Sequence, residues 1–91
     1  MSSDARIGAA VLFKQAMEMY DGGRLDSAIE LLDEVIAVCE QDAALTDDTA
    51  HVAAHIRLYK VYSALGRDRE AGEHFEKAVR LGASAERLLS A

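Results

Sequence analysis

His51 and His55 are the residues whose spacing most directly suggests chemistry. They stand four apart in a stretch that reads as helix, so both imidazoles fall on one face, as two metal ligands would. Asp47 and Asp48 lie one turn earlier. The sequence offers no third fixed ligand, so a packing role for the pair is the stronger reading and no metal or other cofactor is expected. A helical bundle with an exposed histidine would suit phosphotransfer. His55-Ile-Arg-Leu-Tyr-Lys, however, lacks the small residues that such an imidazole needs beside it. His74 is expected on a wet helix face.

Cys39 is the single cysteine, has no neighbouring base to activate it, and is expected to be packed. Its solitude excludes an internal disulfide and fits a reducing, cytoplasmic setting. The carboxylates fall on solvated helix faces, where screening leaves them ordinary. There is no glycine-rich phosphate loop, nucleophile elbow or HExxH pattern. The expectation is therefore a protein that is not an enzyme.

Composition narrows the partner. About half of the 91 residues are hydrophobic and 29% are charged, with no proline, which favours a helical globular domain with a thin core. Residues 1–45 hold nine acids and three bases, whereas residues 46–91 hold seven of each. The whole net charge of −6 thus lies in the first half. Nucleic acid is an unlikely match for such a surface, because phosphate binding needs a basic patch. No apolar run approaches the roughly 20 residues that span a membrane, and the first residues lack the pattern of a signal peptide.

Four helices are needed to position these residues. The first, capped by Ser2 or Ser3 with Asp4 in its first turn, runs to Tyr20 or Asp21. Leu12, Ala16 and Met19 line its core stripe, and Phe13, Met17 and Tyr20 line the adjacent strip. Gly22-Gly23 ends it. The second starts near Leu25 or Asp26, with Ser27 and Glu30 at capping-box spacing. It buries Ala28, Leu32, Val35 and Cys39, and fades between Glu40 and Ala44. Residues 41–45 read equally as helix or loop. The third, capped by Thr46 or Asp47, runs to Leu65 and is apolar over most of its circumference, as a helix buried on more than one side is. The fourth spans Arg69 to Leu81, with Ala71, Phe75 and Ala78 inward. Ala83 to Ala91 reads as one further short turn.

The chain repeats itself. Gly23 matches Gly66, Ala28 matches Ala71, Leu32 matches Phe75 and Val35 matches Ala78, each offset by 43 residues. The glycine closes a helical hairpin, the alanine lets its two helices approach, and the larger residue fills the space between hairpins. Ala16, Met19, Gly23, Ala28, Leu32 and Val35, and again Tyr62, Gly66, Ala71, Phe75 and Ala78, resemble two diverged tetratricopeptide repeats. The first copy covers about residues 4–41, the second about 46–83, and a short turn follows over 84–91. The chain departs from that pattern at Gln15, Tyr59 and Asp68, and its repeat is longer than the family's 34 or so residues.

The resemblance implies an all-α fold in one domain: two antiparallel helix-turn-helix hairpins stacked as a short solenoid. A generic four-helix bundle is the alternative. It also implies a protein-interaction module, such as an adaptor, scaffold or small chaperone, that holds a peptide or amphipathic helix in an apolar groove. By that likeness Ala10, Phe13, Met17 and Tyr20 line the groove from the first repeat. Ala53, Ile56, Lys60 and Ser63 line it from the second. Phe13 and Met17 stand where the family's carboxylate-clamp members carry lysine and asparagine, which points away from an acidic chaperone tail as the ligand. A homodimer is the alternative occupant, since two repeats are few to bury a continuous core. The acidic first half could then face the arginines at positions 67, 69 and 80.

Overall fold

The computed structural model describes residues 2–46 and 48–82, with side chains from Asp4 onward. Four α-helices follow one another: α1 (Ser2–Asp21), α2 (Leu25–Gln41), α3 (Thr49–Ala64) and α4 (Asp68–Arg80). No strand occurs among the described residues. α1 packs on α2 and α3 on α4, while α2 lies along α3 and joins the two hairpins. The short turn expected over 84–91 lies outside the described residues.

Both hairpins close in the same way. Gly23 and Gly66 adopt φ of 79° and 73°, a left-handed conformation that other residues enter at a cost. The Gly23 N–H donates to the Tyr20 carbonyl at 3.0 Å and the Arg24 N–H to the Met19 carbonyl at 2.8 Å. In the second hairpin Gly66 donates to Ser63 at 3.1 Å and Arg67 to Tyr62 at 2.8 Å. These paired bonds satisfy the last carbonyls of α1 and α3 in the Schellman pattern. Ala28 and Ala71, five residues past each glycine, are both buried where the helices come together.

The capping expected from sequence is corrected at two places. α2 has no side-chain cap, because the glycine turn delivers Arg24 directly as the flanking residue. Ser27 and Glu30 are already inside the helix. α3 is capped by Asp48, whose Oδ1 accepts the Ala50 N–H at 2.9 Å, and not by Thr46. Asp47 lies outside the described residues. Thr46 is instead spent on the preceding turn. There α2 stops at Gln41, Asp42 accepts the Ala44 N–H at 3.0 Å, and a 3-10 turn over Ala43–Leu45 plugs Leu45 into the core. Of residues 41–45, Gln41 thus extends α2 and the rest form a capped 3-10 turn rather than an open loop.

The core has two parts. The larger gathers Ala9 and Ala16 of α1, Leu32, Val35, Ile36 and Cys39 of α2, Leu45 of the 3-10 turn, Ala54, Leu58 and Tyr62 of α3, and Ala71 of α4. The smaller, between α3 and α4, holds Val52, Ile56 and Ala78, with Phe75 and Leu81 against them. α3 therefore buries two faces, as its apolar circumference requires. Burial pushes the Cys39 thiol above its ordinary range, with Asp48 and Glu40 adding to the shift, as a packed and unreactive cysteine behaves.

Candidate functional site

The residues expected to line a groove are distributed over three environments. Ala10 and Ser63 are exposed, while Tyr20, Ala53 and Lys60 are half-buried. Phe13 and Met17 are half-buried because they pack against the larger core cluster. Ile56 is only 3% exposed and faces Ala78 in the α3–α4 seam. Ile56 thus contributes to the joint within the second hairpin and not to an open lining.

The most exposed large apolar side chains on α1 lie outside both of its apolar stripes. Ile7 is 63% exposed and Val11 49%. They are one turn apart, and the helical repeat sets them on the side of α1 opposite buried Ala9 and Ala16. The signal was present in the sequence: two aliphatic residues at i, i+4 that belong to neither of the stripes counted on that helix.

Charge does not set up a basic counter-surface. Arg67 pairs with Glu70, Arg69 with Glu73 and Arg80 with Glu76, each within one helical turn. Each of the three arginines thus has an acidic neighbour in its own part of the chain. Arg6 is used elsewhere, in an ion pair with Asp48 at 3.0 Å that ties α1 to the start of α3.

The histidines form the other distinctive cluster. His51 and His55 are buried, at 5% and 1% exposure. The His51 Nδ1–H donates to the Thr46 carbonyl at 2.8 Å, and its Nε2 is buried with no partner among the described residues. His55 Nδ1 meets His74 Nδ1 at 2.9 Å. The ring of His74 stacks on Tyr62 with centroids 5.6 Å apart and an interplanar angle of 11°. Arg67 lies over the Tyr62 ring, 5.1 Å from its centroid. His74 is half-buried and not on a wet face. The repeat itself carried that signal, since His74 occupies the position of Leu31 and His55 that of Leu12, both packed against the core.

Desolvation lowers both members of the pair. His55 is pushed down to about 3 by burial, with His74, His51 and Lys77 opposing its charged form. Burial also lowers His74, against the pull of Asp33. Among the described residues no group of three or more His, Cys, Asp or Glu side chains is placed to hold a metal ion. His55 is too enclosed to meet a phosphoryl donor. Beside the cluster, Glu40, His51, His55, Lys77, Arg80 and Leu81 line an open cleft of about 200 Å³. No described helix is long and apolar enough to cross a membrane.

No family model matches the chain, and neither a curated protein nor a solved structure matches it.

Proposed function

We propose that the chain is a protein-interaction module that receives an amphipathic helix of a partner protein along the outer side of α1. The observation that carries this reading is the exposure of Ile7 and Val11, 63% and 49%, on the helix that ends the stack. Solvent contact with two large aliphatic side chains is unfavourable, and covering them gives a partner roughly 25 cal/mol for each Å² buried.

The shape of the strip argues for a helix. Ile7, Ala10, Val11 and Lys14 follow helical spacing, so the apolar part is one helix wide. From Ile7 to Val11 it extends roughly 6 Å at 1.5 Å per residue, about one helical turn, the length that a single apolar turn of a partner helix covers. Both signs of charge border it along the helix, with Asp4 three residues before Ile7 and Lys14 and Glu18 three and seven residues after Val11, which suits polar ends more than a uniformly charged tail. Tetratricopeptide-like hairpins hold helices and peptides, and the duplicated glycine turns support that likeness.

Affinity capture from the host with wild-type protein and with Val11→Asp tests the proposal. Partners found by mass spectrometry are then reduced to synthetic helices and titrated by calorimetry. A helix that binds wild type and loses at least tenfold in affinity for Val11→Asp supports the reading. Equal affinity for both proteins places the contact elsewhere. Light scattering in the same series detects the homodimer, in which a second copy of α1 would supply the helix.

A further inference from the structure

Three histidines from two helices meet where α3 packs on α4. The closest contact, His55 Nδ1 to His74 Nδ1 at 2.9 Å, requires unlike partners. One ring donates its N–H and the other accepts on a lone pair, so the contact needs at least one uncharged ring. His51 adds a third imidazole, 5.2 Å from His55 between ring centroids.

The charged groups acting on this pair come from every side. Asp33 of α2 and Glu73 of α4 favour a proton on His74, and Lys77 of α4 opposes one on either ring. Glu40 of α2 and Arg80 of α4 share the adjoining cleft with His55. Arg67 reaches the pair only through Tyr62.

We propose that α4 is a proton-released arm: acidification charges the His55–His74 contact and detaches α4 from α3, uncovering Val52, Ile56 and Ala78. The first proton goes to His74, which is less enclosed and lies beside Asp33. Its Nδ1–H then donates to His55, and the contact survives. A second proton, on His55, sets N–H against N–H at a site that is 1% exposed. Separation of the helices returns both cations to water, where solvation is far more favourable. α4 is the part that leaves, because its buried residues are the small Ala71 and Ala78. α1, α2, α3 and the 3-10 turn supply the larger cluster, to whose buried residues α4 adds the small Ala71.

The direction follows from the pKa order. A histidine in the opened state titrates at its ordinary 6.5, and His55 in the closed state at about 3. The closed state is therefore fully favoured above about 6.5 and loses ground as pH falls toward 3. For each proton taken up, the opening constant rises by up to about tenfold per pH unit.

Amide hydrogen exchange of the full chain, followed by NMR from pH 7.5 to 4.5 and corrected for intrinsic exchange, reads this directly. The expected result is a loss of protection in α4, at Phe75 and Ala78, of up to about tenfold per pH unit below 6.5. Protection at Ala9 and Leu32 should change much less. In the double variant His55→Gln, His74→Gln the pH slope at α4 should disappear. An α4 protection that does not vary with pH, or a slope that survives in the double variant, overturns the proposal. If the double variant does not fold, imidazole titration of His55 in the wild type decides: a value at or above 6.5 overturns it, and a value below 6.5 upholds it.

Discussion

One carboxylate links two helices: Asp48 accepts the Ala50 N–H on Oδ1 at 2.9 Å, capping α3, while its Oδ2 accepts the Arg6 Nε–H at 3.0 Å from α1. The cap and the ion pair are separable. Asp48→Ala removes both and should destabilise the fold by about 1–2 kcal/mol, mostly from the cap. Arg6 is largely exposed, so Arg6→Ala should cost at most about 0.5 kcal/mol. Urea denaturation of the two variants checks this, and equal losses would show that the ion pair carries the effect.

The hairpin glycines give a prediction of opposite signs. A Cβ at Gly23 or Gly66 meets no atom within 4 Å, so their φ values alone penalise substitution. Gly23→Ala and Gly66→Ala should each cost about 1–2 kcal/mol. Gly72 lies inside α4 with equally open space and no positive φ. Gly72→Ala should therefore stabilise by about 0.5–1 kcal/mol through helix propensity. Thermal melts of the three variants should move in these opposite directions. A common direction would mean that the glycines do not differ in backbone role.

Ala28 and Ala71 test the close approach within each hairpin. Both are buried, at 0% and 3% exposure. Ala28→Leu and Ala71→Leu should each destabilise by about 1–3 kcal/mol by overpacking. Glu34 is exposed, and Glu34→Gln should stay within about 0.5 kcal/mol. Alanine variants that melt with the wild type would show that the helices are not in contact at these positions.

The hairpins were legible in the sequence because their signals are local. A glycine that needs a left-handed backbone and an alanine five residues later mark each copy at short range, and the structure places Gly23, Gly66, Ala28 and Ala71 in those roles. Cap identity was less legible. Thr46, Asp47 and Asp48 all suit an N-cap, and the choice depends on the 3-10 turn that buries Leu45, a tertiary constraint. The wet face assigned to His74 ignored its match with Leu31, since polarity by residue type outweighed position in the repeat. The outer face of α1 was missed for a related reason: Ile7 and Val11 lie opposite the two adjacent stripes that periodicity selects.

Phe13 and Met17 separate core from surface on α1. Both pack against the larger cluster, so Phe13→Asp should lower the melting temperature as well as any binding. Val11→Asp touches the exposed side alone and should leave the helical signal and the melting temperature nearly unchanged.

The most direct measurement is site-specific photo-cross-linking from position 11, with position 34 as the control. A benzophenone side chain replaces Val11 or Glu34 in the protein expressed in its own host, and adducts are mapped by mass spectrometry. The expected result is a discrete adduct from position 11, joined to a helical segment of another protein, and none from position 34. No adduct at position 11, or the same adducts from both positions, would contradict the assignment of the outer side of α1 as the binding face.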